Sequence, residues 1–270
     1  MNGELKRRWL PSPLLIASAG LHLGAAAATL ARPRIWPLAL GAVLLDHVSL
    51  MAAGLWPRSH ALGPNLTRLP AASAARGEVA ITIDDGPDPE VTPRVLEVLD
   101  GFGAQASFFC VGERVERHPD LAREIVRRGH RIENHTQRHV HSFSLLGPKG
   151  MQAEIARAQE SIARVAGERP WFFRAPAGLR NPFLEPVLCR LGLRLASWTR
   201  RGFDTVNGDA EHVYRRLVRS VGPGDILLLH DGHAARGRAG TPVIVEALPR
   251  VLATLRSRQL RPVTLRAALG

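Results

Sequence analysis

The sequence predicts a parallel α/β domain that follows two membrane-spanning helices. From Glu78 onward, short apolar runs alternate with amphipathic stretches, whereas two long apolar segments lie before Pro57. Strands that alternate with helices indicate a parallel sheet, because each crossover helix returns the chain to the same end of the sheet. We therefore divide the chain into a membrane hairpin at 1–57, a connector at 58–77 and an α/β domain at 78–270.

The composition argues for a globular protein that does not bind nucleic acid. Apolar residues make up 45% of the 270 residues, which is enough for a sizeable core. The formal net charge is +12 and the pI is about 11.3, but the excess is almost all arginine. Arginines spread along predicted helices, such as Arg123, Arg127 and Arg157, are typical of a solvated face. No basic strand rich in aromatic residues offers a stacking platform for bases.

The first part of the chain is predicted to cross the membrane twice. The stretches 10–31 and 35–56 are apolar, and each is long enough, because a span needs about 20 such residues. A signal peptide is the alternative for the first stretch, but a second apolar stretch directly after it favours a hairpin. Asp46 and His47 interrupt the second stretch. They indicate either a functional pair in the membrane or a polar contact within the hairpin or at the headgroups.

Seven strands are predicted after the connector, each a short apolar run bounded by turn signals. They cover 79–84, 106–111, 131–134, 171–174, 194–198, 225–230 and 261–264. Prolines at helix starts and glycines at helix ends predict the helices between them. These run from Thr92-Pro93 to Gly101, from Pro119 to Arg128, from Met151 to Ala166, and onward from Asn207-Gly208-Asp209.

Polar and aromatic side chains fall at the carboxyl ends of the predicted strands. They are Asp84 and Asp85 on the first strand, His135 after the third, Arg174 on the fourth, Trp198 on the fifth and His230 on the sixth. The carboxyl ends of parallel strands meet on one face, where α/β proteins build active sites. Two adjacent carboxylates also need a cation or a shared proton to relieve their repulsion. The sequence therefore predicts an active site on this face.

Two histidines spaced by four residues predict a metal site there. In His135-Thr136-Gln137-Arg138-His139, a single helical turn or a tight loop can direct both imidazoles at one ion. Asp85, from a different strand, completes a set of two histidines and one carboxylate with positions left for water and substrate. Zn²⁺ suits such a set, and Co²⁺ or another divalent ion would also fit.

At these residues the chain resembles the polysaccharide deacetylases, carbohydrate esterase family 4. Five segments match the family motifs in order and together span about 79–270. They are Thr82-Ile83-Asp84-Asp85-Gly86-Pro87, His135-Thr136-Gln137-Arg138-His139, Arg174-Ala175-Pro176-Ala177-Gly178, Trp198 with Asp204, and Leu228-Leu229-His230. The resemblance implies a distorted (β/α) barrel of seven strands. It also implies metal-dependent hydrolysis of N-acetyl or O-acetyl groups on sugars.

The resemblance also assigns roles residue by residue. It implies that Asp84 is the general base and that Asp85, His135 and His139 hold the metal, while His230 protonates the leaving amine. It implies that Asp204 tunes His230 and that Arg174 orients the base. The expected substrate contacts are the backbone N–H of Ala177, which would stabilise the oxyanion, Leu228 beside the acetyl methyl group, and Trp198.

Three departures from the family pattern concern the substrate groove. Ala177 stands where the family usually has tyrosine, Val140 where proline follows the second histidine, and Thr205 where tryptophan follows the fourth-motif aspartate. They remove bulk and aromatic surface, so the expected substrate shifts from a long stacked glycan to an acetylated amino sugar of the cell envelope or on a lipid. The alternatives are deformylation or another amide hydrolysis of a lipid-linked sugar, and an inactive, membrane-bound glycan-binding protein.

The basic residues around the hairpin predict a domain on the cytoplasmic face. Two spans return the chain to its starting side, and basic residues accumulate on the cytoplasmic side of membrane proteins. Arg32 and Arg34 lie in the turn, whereas six basic residues lie on the other side. These are Lys6, Arg7, Arg8, Arg58, Arg68 and Arg76. Cys110 and Cys189 have no CxxC spacing, and free thiols fit a reducing compartment.

Overall fold

The structure is a computed structural model that describes residues 8–269, so Lys6 and Arg7 lie outside the described residues. Its strands are β1 (Glu78–Asp84), β2 (Ala106–Cys110), β3 (Arg131–Asn134), β4 (Phe172–Phe173), β5 (Arg194–Leu195), β6 (Arg200–Arg201), β7 (Ile226–His230) and β8 (Arg261–Val263). The described α-helices are α1 (Pro13–Ala31), α2 (Trp36–Leu55), α3 (Ala71–Ala75), α4 (Val91–Phe102), α5 (Gly112–Arg117), α6 (Pro119–Arg127), α7 (Pro148–Ala166), α8 (Leu184–Arg190), α9 (Ala210–Val218), α10 (Val243–Ser257) and α11 (Leu265–Leu269).

The strands form one parallel sheet that curves into a distorted barrel. Their order is β5-β4-β3-β2-β1-β7-β6, and β8 pairs with the beginning of β1. The connector lies at the opening between β5 and β6. Leu66 forms a parallel bridge with Ala196, and the Leu69 N–H donates to the Gly224 carbonyl. The predicted α/β barrel is confirmed, with β1 at its centre.

The two faces of the strands divide the core. Ile81, Ile83 and Leu229 belong to a large apolar cluster with the helices, whereas Phe109 and Leu228 belong to a small cluster inside the barrel. This division follows from the alternation of side chains along a strand. Asp84 and His230 continue the inward-facing series of β1 and β7, so the alternation turns both into the barrel mouth.

All seven predicted strands are present, but several boundaries differ. β4 and β5 have only two residues each. The sheet also contains one strand that was not predicted, β6, because its arginine pair lacks an apolar run. α4 begins at Val91, where the Asp88 carboxylate accepts two backbone N–H groups, and Thr92 is therefore not its cap. α4 continues past Gly101 to Phe102, and Gly103, with a φ of 62°, caps its end.

The N-terminal segment forms two antiparallel apolar helices. α1 and the stretch Pro33–Leu55 are each long and apolar enough to cross a membrane, and only 6% of each is buried. Length and composition do not distinguish a membrane span from a signal sequence at α1. The Ser18 hydroxyl donates to Asp46 at 2.6 Å, so Asp46 makes a polar contact within the hairpin.

The end of α2 packs on the barrel close to the third motif. The Arg180 N–H donates to the Gly54 carbonyl at 3.1 Å, and the Ser197 hydroxyl donates to the Pro57 carbonyl at 2.7 Å. A side chain at Gly178 would meet Pro57, because its Cβ would lie 2.6 Å from the proline ring. The hairpin is therefore attached to the loop that carries Ala177.

We predict that Gly54→Ala loosens this attachment. The added methyl would lie 2.2 Å from the Arg180 carbonyl oxygen, and such overpacking costs about 1–3 kcal/mol. Amide hydrogen exchange on the full chain in detergent should be faster at Arg180. Gly41→Ala is the control, because a methyl there meets nothing within 4 Å. Equal exchange at Arg180 in the two variants would contradict this packing.

Candidate active site

The predicted polar residues meet at the carboxyl end of the barrel. Asp84 pairs in register with Phe109 on β2 and with His230 on β7. His135 follows β3, and its backbone N–H donates to the Cys110 carbonyl. Arg174 follows β4, and its backbone N–H donates to the Asn134 carbonyl. Parallel pairing thus brings together residues that are far apart in the chain.

Asp84 is held by a buried arginine. Arg174 is 1% exposed, and its guanidinium donates to Asp84 Oδ1 at 2.5 Å and to the Thr82 hydroxyl at 2.9 Å. It lies 4.0 Å from the centre of the Phe109 ring. Burial lowers the pKa of Arg174, and the negative charge of Asp84 opposes this. An arginine stays charged in proteins, so it holds Asp84 in a fixed orientation as an ion pair.

Asp85, His135 and His139 form a set that could hold a metal ion. One ligand atom from each lies within 4.8 Å of the others. The Nε2 atoms of both histidines are 3.2 Å from Asp85 Oδ1. That oxygen is buried, and it has no hydrogen-bond partner among the described residues. Two nitrogens that converge on an unpartnered carboxylate oxygen fit a divalent cation.

The protonation states of these three residues also suit a metal. His135 Nδ1 lies 2.8 Å from the Arg174 carbonyl oxygen, which requires an N–H there and leaves Nε2 with a lone pair. Burial lowers the pKa of His139 to about 4. Burial would raise the pKa of Asp85, but its close contacts with His135 and His233 hold that pKa well below its usual value.

The backbone is strained where it presents these ligands. Asp85, Thr136 and His139 have φ values of 76°, 66° and 53°. The left-handed region costs a non-glycine residue about 1–2 kcal/mol. The Asn134 side chain accepts the Thr136 N–H, and the Thr136 hydroxyl accepts the His139 N–H, each at 2.9 Å. These hydrogen bonds stabilise the turn that directs His135 and His139 toward Asp85.

His230 lies across the site from the histidine pair and is bound to Asp204. Its Nδ1 is 2.9 Å from Asp204 Oδ1, and its backbone N–H donates to Oδ2 at 2.7 Å. Burial would lower the pKa of His230, but the charge and hydrogen bond of Asp204 outweigh this and raise it to about 9. At neutral pH the His230 ring is therefore an imidazolium, with a proton on both nitrogens.

The three predicted substrate contacts have different surroundings. Ala177 is exposed, with a φ of 55°, in the short turn Pro176–Gly178. Leu228 is 1% exposed and lies two residues before His230 on the same face of β7. Trp198 is 7% exposed and packs beside Gly178. Ala177 thus lies at the surface of the mouth, and the two larger side chains lie beneath it.

Two residues near the site were missed by the sequence analysis. His233 Nδ1 lies 3.0 Å from Asp85 Oδ2. Asp231 is fully buried, accepts the Thr92 hydroxyl at 2.5 Å, and has its pKa raised by burial to about 7. Both follow directly in His230-Asp231-Gly232-His233. A second histidine three residues after His230 was the sequence signal that could have identified His233 as part of the site.

Comparison with known proteins agrees with the fold and the motifs. The family model described as polysaccharide deacetylase matches residues 71–196. The chain is 35% identical over 188 residues to a peptidoglycan-N-acetylglucosamine deacetylase of Bacillus cereus, covering 69% of this chain and 85% of that protein. It is 34% identical to a chitooligosaccharide deacetylase of Azorhizobium caulinodans, covering 58% and 75%.

Two solved structures extend the similarity to the fold. A peptidoglycan N-acetylglucosamine deacetylase superposes with a TM-score of 0.68 at 27% identity, covering 76% of this chain and 92% of that one. A family 4 carbohydrate esterase from Streptomyces lividans, in complex with acetate, gives 0.62 at 32% identity, covering 69% and 91%. From the motifs, the barrel and these relatives, the chain belongs to the polysaccharide deacetylase family, carbohydrate esterase family 4.

Proposed function

We propose that this protein is a metal-dependent deacetylase that hydrolyses N-acetyl groups on an amino sugar. The observation that carries the proposal is the division of two adjacent carboxylates between different partners. Asp84 pairs with Arg174, whereas Asp85 faces His135 and His139. Relatives that act on peptidoglycan or chitooligosaccharides support a glycan containing N-acetylglucosamine.

Asp84 serves as the general base in this proposal. Its Oδ1 is occupied by Arg174, and its Oδ2 lies 3.9 Å from His135 Nε2, on the side of the metal ligands. Because Arg174 fixes the carboxylate, Oδ2 is oriented to remove a proton from an attacking water. A positioned base contributes about 10²- to 10⁴-fold to rate.

Asp85, His135 and His139 would hold the ion, which is Zn²⁺ or another divalent metal. When bound, such an ion polarises the acetyl carbonyl and lowers the pKa of water. The residues themselves provide a carboxylate and two imidazole nitrogens. The exposed position of the Ala177 turn supports a role for its N–H as a donor to the oxygen that becomes negative as water adds.

His230 acts as the acid. It is protonated at neutral pH because Asp204 stabilises its charge. Nδ1 is bound to Asp204, so the Nε2 proton is the one donated to the sugar nitrogen as its bond to the acetyl carbon breaks. The sugar then leaves as an amine and the acyl group as acetate. Asp204 keeps the ring in the required orientation.

The complete set of base, acid and metal ligands argues against an inactive glycan-binding protein, which needs none of them.

The packing of Pro57 against Gly178 supports a substrate at the membrane, in the cell envelope or on a lipid. Acetate and formate release from free, polymeric and lipid-linked acylated sugars, measured with and without chelator, tests the reaction. Formate release identifies deformylation. Because N-acetyl and O-acetyl groups both release acetate, sugars that carry only one of the two linkages separate N-deacetylation from O-acetyl hydrolysis.

The two carboxylates should give different mutant phenotypes. We predict that Asp84→Asn retains the metal but loses about 10²- to 10⁴-fold in rate, because only the base is removed. Asp85→Asn should lose metal and activity together. Metal content and acetate release of both purified variants provide the test. If Asp84→Asn loses the ion and Asp85→Asn keeps it, the two roles are reversed.

The dependence of kcat/KM on pH should report the His230–Asp204 pair. With a pKa of about 9, His230 keeps its acidic proton up to that pH, so the alkaline limb should lie near pH 9. Asp204→Asn removes the charge that raises this pKa, and the limb should move to lower pH. Asp100→Asn, a remote and partly exposed aspartate, is the control. An unmoved limb in Asp204→Asn would mean that another group is the acid.

We infer a hairpin orientation that places the barrel on the cytoplasmic face. The inference comes from the excess of basic residues at the two outer ends of the hairpin, and from the free, buried thiol of Cys110. A cytoplasmic reporter fused after Gly270 should be active, and a reporter active only outside the cytoplasm should be silent. The opposite result would mean a single span or a cleaved first segment, and an exported glycan as substrate.

A further inference from the structure

His233 contacts the carboxylate that would bind the metal, on the oxygen that the other histidines leave free. Its Nδ1 lies 3.0 Å from Asp85 Oδ2, whereas His135 and His139 converge on Oδ1. The side chain of Asp85 is 6% exposed, and that of His233 is 54% exposed. His233 therefore reaches a buried carboxylate from the rim of the cleft.

Arg114 determines which nitrogen of His233 carries the proton. The Arg114 guanidinium lies 3.3 Å from His233 Nε2. Because a guanidinium can only donate, Nε2 must be the acceptor, and the proton of the neutral ring is on Nδ1. His233 Nδ1–H then donates to Asp85 Oδ2. The hydrogen bonds run in one direction, from Arg114 through His233 to Asp85.

The local backbone is built for this approach. A Cβ at Gly232 would lie 2.4 Å from the Asp85 carbonyl oxygen and 2.5 Å from the Arg114 guanidinium. Arg114 also donates to the Gly232 carbonyl at 3.1 Å. Glycine thus allows the turn after β7 to lie directly against Asp85, and Arg114 holds both the turn and the ring.

We propose that Arg114 and His233 are positioning residues for the metal site. By occupying Oδ2, His233 leaves Oδ1 as the single oxygen that Asp85 offers to the ion beside the two imidazoles. The inference rests on the proposed function, because it requires that Asp85, His135 and His139 bind a divalent metal. A hydrogen-bonded partner of a metal ligand typically changes metal affinity by about 10- to 100-fold.

Zn²⁺ affinity of the full chain in detergent, measured by competition with a chromophoric chelator, tests the proposal. His233→Ala should weaken Zn²⁺ binding about 10- to 100-fold. His233→Asn should recover most of the affinity, because the asparagine amide can take the place of Nδ1–H. His233→Gln should not, because its amide takes the place of Nε2. His141→Ala is the control, since that ring lies 6.0 Å from the His139 ring and does not contact Asp85 among the described residues.

Arg114→Gln tests the second link in the same assay. It should weaken binding less than His233→Ala does. In the double variant with His233→Ala, Arg114→Gln should weaken binding little further, because the effects of mutations in one hydrogen-bond network are not additive.

If His233→Ala binds Zn²⁺ as tightly as the unchanged protein while Asp85→Ala has lost Zn²⁺ binding, the positioning role is wrong and the proposed function stands. If His233→Asn binds as weakly as His233→Ala, His233 is not a donor to Asp85. If the unchanged protein binds no divalent ion, both proposals fail.

Discussion

The ion pair between Arg174 and Asp84 is the interaction on which the site depends. Both side chains are almost fully buried, and an unpaired buried charge is costly, about 3–5 kcal/mol when one partner is removed. Arg174 also donates to the Ala196 and Ser197 carbonyls beyond β5, and its own carbonyl accepts from His135. One residue therefore fixes the proposed base with its side chain and a proposed metal ligand with its backbone.

Adjacent carboxylates can have different roles because the backbone turns between them. Asp84 is the last residue of β1 and continues its inward-facing series. Asp85 has a φ of 76° and directs its carboxylate to the histidines, while its N–H still bonds to the Phe109 carbonyl. A regular strand would have sent the second carboxylate to the opposite face. The strain at Asp85 is thus the local cost of placing both groups in one cleft.

Much of this arrangement could be predicted from sequence, because the pattern of apolar runs determines which residues end each strand. Asp84, His135, Arg174 and His230 were all placed at the mouth by this reasoning. β6 was missed because two arginines carry no strand signal, and its edge position comes from pairing with β7. His233 was missed because it follows the fifth motif in a turn, and only the approach allowed by Gly232 brings it to Asp85. Contacts that depend on the close packing of two loops have no periodic pattern in the sequence.

The attachment of the hairpin gives a physical reason why the third motif should couple the site to the two apolar helices. Gly178 has a φ of 74°, and any side chain there would meet both Pro57 and Trp198. Ala177, on the other side of the same peptide bond, is exposed, so the loop has one face against the hairpin exit and one face toward the cleft. A displacement of α2 would be transmitted through Pro57 to this turn, because close-packed contacts cannot absorb it. We therefore expect the position of the proposed oxyanion donor to depend on how the hairpin packs against the barrel.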